Sequence, residues 1–326
     1  MKKVKKVGLG QNNLKSKLFY FSLVAIPTLQ FLFFWVYVNF NSILMAFKVF
    51  RQNSTAVNSF EWGIKNFMHW FSDSPKWRIS SLNGGFAPKY NSDHLWSALL
   101  VTFKSYGISL FIGVPLGLFF SYYMFKKMPG AGIFRVVLFM PSIISAAPIS
   151  LIYKFLMLKV VGNPSVMGGN GLFNEYFFST NNMYGTMMTF SLLIGFGTSV
   201  LMYTNKMDSI APEIIESAHL DGANGFKEFW YIVLPQAFSI VQVFLITGFA
   251  GAFTAQYNAF TLFDPSKAIP EITSLGFLLW NGVRHAGERM WVLGPYAALG
   301  LLVTLFVAPI TFFLRWFFNK YGWKEE

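Results

Sequence analysis

The 326-residue chain is 54% hydrophobic and only 12% charged, where a soluble domain carries about a quarter charged residues, so a water-soluble globular fold is excluded. Its net charge of +12 does not mark a nucleic-acid binder, because the basic residues gather in tails and short loops, where they set topology and meet anionic membrane lipid. With no cysteine, a disulfide framework and a thiolate metal site are excluded as well.

The first 17 residues carry Lys2, Lys3, Lys5, Lys6, Lys15 and Lys17 with no acid, a basic tail shaped like the start of a secretion signal. The apolar run behind it extends from Leu18 to about Phe47 without a small-x-small cleavage site, which predicts a retained first transmembrane helix over 18–47. Residues 48–96 are polar and rich in Trp and Ser; they predict an extracytoplasmic segment, either a small cap or an amphipathic stretch on the surface. Five further runs follow at about 97–124, 133–157, 183–205, 237–262 and 291–318. Each approaches or exceeds the roughly 20 residues that cross a hydrocarbon core of about 30 Å. The expected fold is an all-α polytopic membrane protein with six transmembrane helices, closed by a short tail, 319–326.

Lysine and arginine set the orientation. The N-terminal tail, the connection MFKKMPGAGIFR with Lys126, Lys127 and Arg135, and the C-terminal Arg315, Lys320 and Lys324 are separated by even numbers of spans. They share one side, expected to be the cytoplasm, although six basic residues within 48–96 weaken the bias. The connection 206–235, between spans four and five, falls on that side too.

That connection contains EIIESAHLDGANGFKEFWYIVLPQ, residues 213–236, a polar stretch between apolar runs. Pro212 suits the first turn of a helix, where a missing N–H costs nothing, and Glu213 and Glu216 suit the positive end of its dipole. Ile214, Ile215 and Ala218 give it one small apolar face. Gly222 predicts a left-handed bend or a close backbone approach, and Asn224 the N-cap of a second helix. Along it Phe226, Phe229, Trp230, Val233 and Leu234 form one stripe, and Leu234-Pro235 is expected to stop it. Five acids against two lysines between Lys206 and Pro235 fit an anionic leaflet poorly, so docking to a cytoplasmic partner is expected rather than an amphipathic connection lying on lipid.

Glu216-Ser217-Ala218, three residues, Gly222, nine residues, Ile232, one residue, Leu234-Pro235 resembles the EAA signature of the inner-membrane permeases of ABC importers. The one departure is Ser217 for the first Ala, small for small. Asp221-Gly222-Ala223-Asn224, with Phe229 and Trp230 after it, resembles the carbohydrate-uptake branch, the maltose and multiple-sugar type. RVVLFMPSIISAAPISLIYKFL (135–156), GNGLFNEYF from Gly169, and TAQYNAFTLFDP (254–265) are similar to further stretches of that family. Together they cover roughly 90–318, a permease core.

The resemblance implies a type I importer fold, with 206–235 a coupling segment seated on a cytoplasmic ATP-hydrolysing subunit. By similarity Glu216, Ser217, Asp221 and Ala223 would lie in that contact, Gly222 would permit close approach, and Ala218, Phe226 and Phe229 would fill or support the socket. It also implies a second, homologous permease subunit, two copies of the ATP-binding subunit, and an extracytoplasmic sugar-binding protein. ATP and Mg2+ would be held by the partners and no cofactor by this chain, which would be a multi-pass protein of the bacterial plasma membrane. For sugar, the expected contacts are Gln256, Tyr257, Asn258, Phe260 and Thr261, with Thr198, Ser199, Tyr203, Ser142, Ser145 and Tyr153 as weaker candidates. Packing against helices or lipid is the competing reading for each. Lys104 and Lys154 read as snorkelling lysines that an acidic sugar would otherwise meet; Arg284, Glu288 and Arg289 read as loop contacts for the binding protein.

No phosphate loop and no His-Glu-x-x-His occurs. His69, His94, His219 and His285 are isolated in sequence, and Ser191, Ser199 and Ser239 lack a base at a recognisable spacing, so catalysis is not expected of this chain. A secondary carrier would want intramembrane acids, which the spans lack. An importer permease for an anionic solute, such as glycerol phosphate or a modified glycan, is the nearer alternative.

Overall fold

The computed structural model describes residues 14–50, 60–71, 92–157, 182–263, 270–286 and 290–323. The GNGLFNEYF stretch, Glu288 and Arg289 lie outside the described residues. Among the described residues, five helices are long and apolar enough to cross a membrane: Phe19–Phe47, Leu95–Phe125, Met183–Asp208, Gly225–Ala252 and Trp291–Tyr321. A sixth crossing is made only if the pair Ala131–Ile143 and Ala146–Phe155, bent by 111°, is taken as one span.

That bend falls within the third span expected over 133–157. Pro148 has no N–H, and its ring excludes the helical carbonyl four residues back, which is that of Ile144. Ile144 and Ser145 are accordingly extended (ψ 139° and 143°). The fifth span also differs. Its helix runs unbroken through Leu234-Pro235 and stops at Ala252, not at 262. The turn before the proline, Phe229–Val233, is π-helical, with Leu234 N–H bonded to the Phe229 carbonyl; the wider turn takes the pyrrolidine ring without a break. A third difference is the helix Leu275–Ala286, within what reads in sequence as loop. Twelve residues are too few to span, so a hydropathy window passes over it.

Packing follows small residues. A Cβ on Gly197 would collide with the Leu138 carbonyl, so only glycine lets the fourth span approach the third this closely. Ser121 Oγ donates to the carbonyls of Gly117 (2.7 Å) and Val200 (3.0 Å), joining spans two and four without leaving a buried hydroxyl unmet. The first span is different: its large side chains from Phe19 to Val38 are all exposed, as lipid-facing residues are, and Thr28, Asn39 and Ser42 turn their polar groups onto their own helix. Its far end is pinned. Asn66 Nδ2 donates to the carbonyls of Ala46 (3.0 Å) and Lys48 (2.9 Å), and Trp70 Nε1 to that of Pro295 (2.7 Å). The strands Lys48–Phe50 and Phe60–Trp62 pair antiparallel there, within the segment expected outside the membrane.

Candidate functional site

The EAA element caps one end of the bundle. Pro212–Leu220 is helical with Pro212 in its first turn. It ends in a Schellman motif: Ala223 N–H bonds the Ala218 carbonyl (3.0 Å), Gly222 N–H bonds that of His219 (3.1 Å), and Gly222 sits at φ +78°. Asn224 then caps the second helix, its Oδ1 accepting from Lys227 N–H at 2.9 Å. Both turn residues act as their chemistry predicts. No atom lies within 4 Å of a Cβ placed on Gly222, so the glycine answers to backbone conformation and leaves open space around the bend.

The element's two faces divide sharply. Ala218, Val233 and Leu234 are buried within the chain, and Phe229 packs against Tyr122 (ring centroids 5.0 Å). Ala218 and Phe229 therefore support the bend from beneath and do not form its outer surface. On the outside stand Leu220 (89% exposed), Phe226 (71%) and Tyr231 (80%), with Glu213, Glu216, Ser217 and Asp221 exposed beside them; Ala223 is half-buried. The stripe read from the sequence is thus split, with Phe226 and Trp230 facing out.

Glu228 is the residue that sequence reasoning missed. It is fully buried (0% exposed), with Lys126 Nζ 2.9 Å from both of its oxygens and His219 Nε2 2.7 Å from Oε2. The helix Gly225–Ala252, 28 residues, is about 42 Å long against a core of about 30 Å, so Glu228 stands on the overhang outside the span. Burial alone would raise its pKa; the hydrogen bonds and charges of Lys126 and His219 outweigh it and hold the carboxyl below its ordinary range. Tyr122 Oη donates to the Gly225 carbonyl at 2.9 Å. Glu228 thus ties both arms of the bend to the connection after span two. His219, isolated in sequence, is part of this cluster.

At the opposite end the fifth span breaks open. Tyr257 and Asn258 both take left-handed backbone (φ 49° and 57°), a cost of roughly 1–3 kcal/mol each that persists only where neighbours impose it and that gathers at ligand clamps. Ser191 Oγ donates to the Tyr257 carbonyl and Ser274 Oγ to that of Ala255, each at 2.7 Å. Gln256, Tyr257, Asn258, Phe260 and Thr261 are half-buried here, although Thr261 spends its hydroxyl on the Asn258 carbonyl. Tyr257, Phe260 and Tyr184 pack onto a cluster with Tyr153, Phe190 and Phe277. Thr198 is exposed two turns along the fourth span from Ser191, towards the EAA end.

The other candidates separate. Tyr203 is buried, packed against Phe244 and close to Gly117. Ser142 and Ser199 bond their own helices. Ser145 is exposed at the bend of the third span, and Lys154 is half-buried beyond it. Arg284 lies on the helix Leu275–Ala286 and not in a loop; its guanidinium carbon sits 4.5 Å from the Phe260 ring centre and 5.0 Å from that of Trp280. Lys104 is exposed, 4.1 Å from the Tyr184 ring centre.

The multiple sugar-binding transport system permease protein MsmF of Streptococcus mutans is 28% identical over 180 residues, covering 53% of this chain and 60% of that protein. The arabinooligosaccharides transport system permease protein AraP of Bacillus subtilis is 25% identical over 226 residues, 67% of this chain and 68% of that protein. The matched stretch thus spans only about two thirds of these relatives. A chain in the crystal structure of a bacterial alginate ABC transporter, in complex with an alginate pentasaccharide-bound periplasmic protein, superposes with a TM-score of 0.72 at 16% identity, over 95% of this chain and 96% of that one. The family described as the binding-protein-dependent transport system inner membrane component matches residues 110–322, well over half the chain and the whole EAA element, and the protein belongs to that family.

Proposed function

We propose that this chain is the membrane-spanning permease subunit of an ATP-driven importer for sugars or oligosaccharides, forming half of the translocation path. Its relatives by sequence carry sugar permease names, and the EAA end of the molecule, with both termini, faces the cytoplasm in this reading. Two ATP-hydrolysing subunits, which hold ATP and Mg2+, receive the exposed ridge of Leu220, Phe226 and Tyr231 with its rim of Glu213, Glu216 and Asp221. A second homologous permease completes the path, and an extracytoplasmic binding protein delivers the sugar to the end bearing Gln256, Tyr257 and Asn258.

The observation that carries the reading is the fastening of the EAA element. Glu228 and Gly225 tie it to Lys126 and Tyr122, so a push on the bend reaches the second and fifth spans together. ATP closes the partner subunits, the element moves as a lever, and the path opens outward to accept sugar; hydrolysis resets it. This chain supplies the lever and the lining, not the hydrolysis.

The test is purification of the tagged chain from its native membranes, with and without Gly222→Arg. An ATP-hydrolysing subunit and a second permease are expected to accompany the wild type, and the ATPase to be lost from the variant. A chain that comes out alone and moves sugar in vesicles without ATP would sink the importer reading.

A further inference from the structure

Lys104 is in an unusual place for a lysine. It lies about 13 Å along the axis from Leu95, where the second span begins, and that helix is 31 residues long, about 46 Å against a core of about 30 Å. With the excess shared between the ends, Lys104 falls inside the hydrocarbon depth. It is exposed, its ammonium lies over the Tyr184 ring, and no carboxylate pairs with it among the described residues. A lysine at that depth is costly against lipid and is found facing water-filled cavities, where it marks a solute path.

Tyr184 leads from Lys104 into the sugar-contact candidates. Its hydroxyl meets Ser105 Oγ at 3.1 Å, and it packs on the cluster that holds Tyr257, Phe260 and Trp280. Arg284 lies over Phe260 and Trp280; it is exposed and likewise has no carboxylate partner among the described residues. Two cations therefore border one half-buried aromatic patch. Within the same cluster the Tyr153 hydroxyl is buried and meets no partner among the described residues, which leaves a donor for a polar ligand.

We propose that the substrate is an acidic oligosaccharide whose carboxylates are met by Lys104 and Arg284, the specificity-determining residues at the mouth of this chain's half of the path. Tyr257 and Phe260 offer faces for the apolar side of a sugar ring. A guanidinium matches a carboxylate with two parallel hydrogen bonds, and an ammonium with a point charge. Neutral sugar would need neither cation, and Lys104 would then sit at that depth at a cost with no return. The inference rests on the importer reading and narrows it.

The test uses the intact assembly from native membranes, reconstituted in vesicles with its binding protein. The probes are trimers of galacturonate, glucuronate and mannuronate, each beside its carboxyl-reduced counterpart. At least one uronate trimer is expected to raise ATP hydrolysis about tenfold more than its reduced form. Lys104→Met and Arg284→Met should each lower that stimulation about tenfold while the assembly still co-purifies, and Lys104→Arg should retain it. If reduced trimers stimulate equally, or both methionine variants respond to uronate as the wild type does, the acidic-substrate proposal is overturned and the sugar importer stands. If no saccharide of either kind raises hydrolysis, the sugar reading falls and this one with it.

Discussion

Ser191 shows how much a single hydroxyl in a span can hold. Its bond to the Tyr257 carbonyl reaches across to a residue whose left-handed φ is unfavourable for a bulky side chain. The same oxygen on a helix facing lipid would merely bond its own backbone, as those of Thr28 and Ser42 do. Ser191→Ala removes one neutral hydrogen bond, worth about 1 kcal/mol of stability, and frees the Tyr257 backbone to relax. Sugar uptake in reconstituted vesicles should fall roughly tenfold, the factor that about 1.4 kcal/mol commands, with the melting temperature almost unmoved. Equal losses in both would make Ser191 a packing residue instead.

Elements were legible where a local pattern decides them. The apolar runs, Pro212 at a helix start, Gly222 at φ +78° and Asn224 as a cap depend on neighbours within four residues, and the sequence carries all of that information. What it does not carry is partnership across the chain. Glu228 sits on a helix among Phe229 and Trp230 and reads as a solvated acid until Lys126, 102 positions away, folds over it. Arg284 reads as loop because its helix is too short for a hydropathy window. The bend at Ile144 follows from Pro148, yet a proline within a span is as often tolerated as obeyed; Pro235 was tolerated. The helix crossing at Gly197 is a consequence of the same kind, invisible before the fold is built. Gly197→Leu should force the fourth span off the Leu138 carbonyl, costing about 1–3 kcal/mol as overpacking does. Limited proteolysis of the detergent-solubilised chain should then cut the 131–155 region faster than in the wild type, while Gly195→Leu, in open space, leaves the cleavage rate unchanged.

Across the whole molecule, the second span joins the two ends that matter. It carries Lys104 near one end and leads directly to Lys126 at the other, about 33 Å apart on a helical rise, while Glu228 clamps its EAA end to the start of the fifth span. In the proposed importer, movement of the EAA element would be handed to two spans at once, one carrying the cation over Tyr184 and the other leading to the left-handed pair Tyr257 and Asn258. Docking and transmission are separable in this geometry, because the exposed ridge of Leu220, Phe226 and Tyr231 lies on the face away from Glu228. Lys126→Met leaves the fully buried carboxylate without its lysine. The partly exposed lysine screens the full cost of a broken buried pair, so a loss of about 1–3 kcal/mol is expected. Pairing it with Glu228→Leu removes the orphaned charge, and the double variant should recover most of the stability, as measured by thermal unfolding in detergent. Coupling should not recover with it. The double variant is expected to retain the ATP-hydrolysing subunit on purification and to hydrolyse ATP at the basal rate, yet to move several-fold fewer sugars per ATP, since the bend can now shift without drawing the second span along. A double variant with wild-type uptake per ATP would mean that Tyr122 and the continuous fifth helix transmit the stroke unaided, and that the Glu228 cluster serves only to hold the bend in shape.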